Sequence, residues 1–115
     1  MIPNFKTEII KDRAHLKFVA TLPCAITGAE NGVQSHHLLR DDLGRIKRGM
    51  GIKAGDNFVL PIHHAKHTEL HMDGSETKYL EENGIRCPVD LALILYAFTG
   101  QEEFCNRVLE IWRKT

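Results

Sequence analysis

Net charge is missing from this chain. Fifteen Lys and Arg balance fifteen Asp and Glu, so no protein-wide field draws it toward polyanions and any grip on nucleic acid must be local. Cysteine is sparse. Cys24, Cys87 and Cys105 are odd in number and contain no C-x-x-C pair, which excludes a disulfide framework and fits a reducing compartment. The residues Met1-Ile2-Pro3-Asn4-Phe5-Lys6 lack the apolar stretch of a signal peptide, and Leu91 to Phe98 is far too short to span a bilayer. A cytoplasmic chain with no membrane partner is expected. Repeats, low-complexity tracts and a G-x-G-x-x-G pattern are absent too, so the 115 residues are expected to form one domain, 1–115.

Histidine is what the chain has in quantity. Of seven histidines, six fall in two clusters, His36-His37 and His63-His64-Ala65-Lys66-His67-Thr68-Glu69-Leu70-His71. Imidazoles four residues apart share one helix face, where both can reach one divalent cation. His63, His67 and His71 repeat at that spacing, but at ~1.5 Å rise per residue the outer two are roughly 12 Å apart along the axis, too far to share an ion. Spacing therefore leaves two pairs open, His63 with His67 or His67 with His71. The adjacent His36-His37 offers a third ligand and a base.

Local signals give a coarse α+β plan. Asp12 to Thr21 reads as a short helix with Leu16, Val19 and Ala20 as its apolar stripe, ended by Leu22-Pro23. Gly28 to Gly32 reads as a turn between two extended pieces, Val33 to Leu39 as a strand, and Phe58-Val59-Leu60 as the next. Pro61 sits just ahead of a helix running to about Met72 and closed by Asp73-Gly74. Ser75 caps a helix from Glu76 to Asn83, Pro88 opens one to Thr99, and the last runs from Glu102 to Arg113 with Phe104, Val108, Leu109 and Trp112 on its core face. A small two-stranded core clasped by helices at both ends is expected.

Five segments in this order resemble the HNH (ββα-metal, or His-Me finger) nuclease superfamily, and in particular small phage and prophage nucleases of the recombination-enhancement-function type. They are Leu16-Lys17-Phe18-Val19-Ala20-Thr21-Leu22-Pro23-Cys24, Ser35-His36-His37-Leu38, Arg48-Gly49-Met50-Gly51-Ile52-Lys53, Asp56-Asn57-Phe58-Val59-Leu60-Pro61-Ile62 and His67-Thr68-Glu69-Leu70-His71. The resemblance implies a ββα-metal core over about 22–73, with C-terminal helices over 75–115. It implies a metal-dependent endonuclease that hydrolyses DNA phosphodiester bonds. His36, His67 and His71 match the metal ligands, and His37 matches the general base that activates water. One divalent ion is implied; three imidazoles favour zinc or nickel, with magnesium and manganese as further candidates for activity. The implied partners are DNA and a recombinase filament or other phage or host DNA-processing proteins.

Two requirements accompany that reading. Neighbouring strand residues point to opposite faces, so His36 and His37 need an irregular strand end to act on one phosphate. Many relatives also hold a structural zinc, but Cys24-Ala25-Ile26-Thr27 and His63-His64-Ala65-Lys66 keep two donors where four are needed. That second zinc is expected to be lost, with Cys24 an ordinary packed thiol.

The remaining signals are blander. Arg40, Arg45, Lys47, Arg48 and Lys53 crowd one stretch that could grip DNA phosphates, although such runs are usually solvated loops. His15 and the three cysteines read as core, and His64 as exposed. Two other classes compete with the nuclease: a non-catalytic nucleic-acid-binding module that retains the metal-bound fold, and a metal-dependent hydrolase acting elsewhere. A base beside a ligand has no use in the binding module.

Overall fold

The computed structural model describes residues 9–39, 45–46 and 54–114. The first helix begins where Asp12 accepts the His15 N–H on its side chain, and α1 runs Arg13–Ala20. The chain then turns through Cys24 to Ala29, which closes on itself through the Cys24 N–H to Ala29 carbonyl bond. Among the described residues no extended piece precedes Gly28 in a sheet, so the turn expected between two strands leads into one strand only. Gly32 takes a left-handed φ of +71°, and a Cβ there would lie 2.9 Å from the His64 ring, so glycine is needed at this entry to β1, Val33–His37.

Strand β2, Val59–His63, pairs antiparallel with β1 in the register Val33↔His63 to His37↔Val59. This corrects the expected helix start: Pro61 lies inside β2 rather than just before a helix. Its carbonyl accepts the Ala25 N–H at 2.8 Å on the outer edge of the sheet. A strand residue's nitrogen and carbonyl point the same way, so the missing proline donor costs no ladder bond. The strand passes directly into α2, His64–Asp73, whose end is set by Gly74 at φ +85°.

Three further helices follow: α3, Glu76–Glu82, capped by Ser75; α4, Pro88–Ala97; and α5, Glu102–Lys114. Among the described residues the architecture is α+β, a two-stranded antiparallel sheet with five helices. Leu22, Leu38, Leu60, Ile62, Leu80, Ile85, Leu91, Leu95 and Leu109 are fully buried in one continuous apolar cluster that also takes in Val19 and Tyr79. No helix among the described residues is long and apolar enough to cross a membrane.

Two core expectations shift. On α5, Cys105 and Leu109 are buried whereas Phe104 is 43% exposed and rests on the Phe98 ring. Val108 and Trp112 pack against the core with Leu109 as expected, so Phe104 alone leaves the expected stripe and Cys105 joins it. Cys87 is exposed, with a φ of +48° at the N-cap of α4, while Cys24 and Cys105 are buried as expected. Its place directly before Pro88 limits it to conformations outside the right-handed helix.

Candidate metal centre

Alternation along β1 sorts its side chains between two helices. Ser35 donates from Oγ to the Leu16 carbonyl of α1 at 2.6 Å, and His37 lies on that same side. Gln34 and His36 face the other way, toward α2; Gln34 bonds His67 and the His36 ring comes close to it. The ladder is regular through His37, and the next residue extends it by its N–H bond to the Phe58 carbonyl. The strand irregularity that would turn His36 and His37 to one side is therefore not seen.

The α2 side carries the centre. His36 Nδ1 lies 3.1 Å from His67 Nε2, and His71 Nε2 lies 2.9 Å from the same atom. One nitrogen from each of His36, His67 and His71 falls within 4.8 Å of the others; among the described residues this is the set of three His, Cys, Asp or Glu side chains able to hold a metal ion. His36 is buried, His67 half-buried and His71 exposed, so the group is anchored at one end and open to solvent at the other. His67 and His71 meet because they stand one turn apart on α2, and His36 meets them because β1 crosses beneath.

Protonation can be read from the outer partners. His36 Nε2 lies 2.6 Å from Glu76 Oε1. A carboxylate only accepts, so the ring proton is on Nε2 and Nδ1 carries a lone pair. His67 Nδ1 lies 2.6 Å from Gln34 Oε1, which puts its proton on Nδ1 and a lone pair on Nε2. Two lone pairs then face one another across 3.1 Å, an arrangement that repels unless a cation lies between them. With zinc–nitrogen bonds of about 2.0–2.1 Å, a tetrahedral site has nitrogens roughly 3.3 Å apart, so the donor set fits a small divalent ion. Burial, then the neighbouring His36 and His71, push the His67 pKa down to about 4, leaving a neutral imidazole at physiological pH as metal ligation requires.

His37 has separate company. Its Nε2 lies 2.8 Å from Asp56 Oδ1, and Asp56 Oδ2 accepts the Asp12 N–H at 2.7 Å. Burial alone would raise the Asp56 carboxyl, but the bonds from His37 and Asp12 outweigh it and hold it below its ordinary value. The pair lines an open cleft with Ile9, Ile10, Lys11, Arg13, Leu16 and Ala54. Asp56 accepts a hydrogen bond from the His37 Nε2–H, so His37 presents Nδ1 as an acceptor. The imidazole thus keeps one ring nitrogen able to accept a proton, on the opposite side of β1 from His36.

Of the other expected residues, Arg45 bonds Asp90 of α4, while Arg40, Lys47, Arg48 and Lys53 lie outside the described residues. His63 caps α2, its Nδ1 accepting the Ala65 N–H at 3.2 Å, and His64 is exposed as expected. Cys24 is a buried free thiol whose Sγ accepts N–H groups from Thr27 and His63. Burial pushes that thiol up, and these bonds more than reverse it. His15 is buried as expected, with Nδ1 bonded to Thr99 Oγ1 at 2.8 Å.

Glu76, Gln34 and Asp56 were absent from the sequence-derived set. Glu76 reads as an ordinary acidic residue after a serine cap, and Gln34 as a solvent-facing strand residue. Asp56 alone had a signal, falling in one of the five resemblance segments without a role attached.

The fold and centre thus define an α+β chain with a three-histidine cluster. The chain belongs to the family described as "Protein of unknown function (DUF968)", which matches residues 2–99. It is also similar to "Uncharacterized protein YdfU" of Escherichia coli (strain K12), at 42% identity over 67 residues; the match takes in 56% of this chain and 18% of that protein. No solved structure matches significantly.

Proposed function

We propose that the chain is a metal-dependent DNA endonuclease with a ββα-metal core formed by β1, β2 and α2, and that it works in the cytoplasm on phosphodiester bonds. The observation that carries this reading is the convergence of three imidazole nitrogens within 4.8 Å, with the lone pairs of His36 and His67 directed inward. His71 is exposed, so the centre is open on one side, as hydrolytic metal sites are and closed structural zinc sites are not. A divalent ion, with zinc the favoured metal, would be held by His36, His67 and His71 and would supply charge neutralisation at a phosphate oxygen and at the leaving oxygen.

The chain's own residues do the rest. Glu76 and Gln34 fix the rings of His36 and His67. Asp56 holds the His37 proton on Nε2, so that Nδ1 can take a proton from water once the end of β1 turns that ring toward the ion. His37 is the last residue of β1, beside the chain's exit into the basic stretch that would meet the DNA backbone.

A second reading is favoured by one observation: the regular alternation that turns His36 and His37 to opposite faces of β1. A nucleic-acid-binding module that retains the metal needs no base at the ion. Plasmid DNA incubated with the purified protein under zinc, nickel, manganese and magnesium, with and without chelator, separates the two. Chelator-sensitive cutting supports the nuclease; retarded but intact DNA supports the module. Absence of both cutting and binding defeats both readings.

A further inference from the structure

Glu76 is buried to 7% exposure, and nothing in the hydrolytic reading alone requires a carboxylate there. It stands at the first position of α3 and reaches across to β1, 40 residues away in sequence. Both of its oxygens are used. Oε1 accepts from His36 Nε2 at 2.6 Å, and Oε2 accepts the Leu39 N–H at 2.7 Å. The side chains of His36 and Glu76 are each only 3% exposed, so water does not compete for either bond. Gln34 performs the comparable task for His67 from an exposed position, where solvent can replace it.

We propose that Glu76 is the positioning residue of the metal centre: it locks His36 in the Nε2–H tautomer, keeping the Nδ1 lone pair on the His67 and His71 nitrogens. The inference rests on the metal reading of the three-histidine cluster. A carboxylate is the group the task demands, because two N–H donors converge on it and each needs an acceptor. An amide of the same shape has one acceptor oxygen. Its NH2 must point either at the Leu39 N–H, donor against donor, or at His36 Nε2. The second arrangement moves the ring proton to Nδ1 and removes the lone pair that would hold the ion. Glu76 also ties the start of α3 and the residue that follows Leu38 to the same ring, so an element outside β1, β2 and α2 sets the state of a ligand.

The test is Glu76→Gln, followed by zinc affinity against a chromophoric chelator and by imidazole 15N shifts of the metal-free protein. Wild type should show His36 as Nε2–H. In Glu76→Gln the His36 proton should move to Nδ1, and zinc affinity should fall about 10–100-fold, the usual effect of removing an outer partner of a metal-bound histidine. A purely structural role would lower the unfolding midpoint without moving the tautomer. Folded Glu76→Gln with wild-type affinity and an Nε2–H His36 overturns the proposal alone. Metal-free wild type with His36 as Nδ1–H overturns it without any variant. Wild type that binds no zinc overturns the metal reading and this inference together.

Discussion

His36 and His37 are adjacent in sequence and opposite in space. The first is 2% exposed, bonded to Glu76 and facing His67; the second bonds Asp56 on the face shared with α1. The proposed ligand and the proposed base are therefore separable by mutation.

His37→Ala is expected to leave metal content and fold unchanged while cutting DNA cleavage by about 10²–10⁴-fold, the loss that follows removal of a general base. Plasmid nicking rates alongside elemental analysis measure both. Cleavage at the wild-type rate would remove His37 from the mechanism and leave water activation to the metal centre.

His67→Ala and His71→Ala should each release the ion, because each removes a converging nitrogen. His63→Ala should retain it and instead lose a helix cap, at about 1 kcal/mol of stability. Metal content and urea unfolding of the three variants check the contrast. Loss of metal in His63→Ala with retention in His71→Ala would shift the centre one turn toward the start of α2.

Asp56 gives a pH signature. Its folded pKa lies below the ordinary 3.8, so its contribution is fully present above that value and is lost as pH falls through the lower, folded value. Wild type should exceed Asp56→Asn in unfolding free energy by a constant margin near neutrality. That margin should shrink below about pH 4. A margin that stays flat down to pH 2 would mean that the carboxylate bonds to His37 and Asp12 add nothing to stability.

One ion per chain is the expected stoichiometry, and Cys24→Ser should not change it. The Cys24 thiol is occupied by backbone N–H groups, and the His63 ring by its own helix. Two ions per chain in wild type, falling to one in Cys24→Ser, would restore a second site.

Helix ends were legible because their signals are local: Ser75, Gly74 and Pro88 each mark a boundary within a residue or two of where it falls. The extent of β2 was not, since proline inside a strand is acceptable only when its edge is known, and the edge is made by Ala25 from far upstream. The three clustered histidines were legible for similar reasons. His67 and His71 declare themselves by helical spacing, and the resemblance supplied His36. Their partners Glu76 and Gln34 lie 40 and 33 residues from the histidines they bond. No short-range pattern carries such pairings. The orientation of His37 followed from strand alternation, once the strand proved regular.

The Ala25 bond to Pro61 has a consequence for how molecules of this chain meet one another. A two-stranded sheet ordinarily offers two raw margins to any passing extended segment. Here the outer margin of β2 already has one carbonyl taken by the turn after α1, and at Pro61 it has no amide hydrogen to give. An incoming strand would find its ladder broken at the centre. That margin of β2 is closed to strand addition, so an extended segment could join this sheet only along β1.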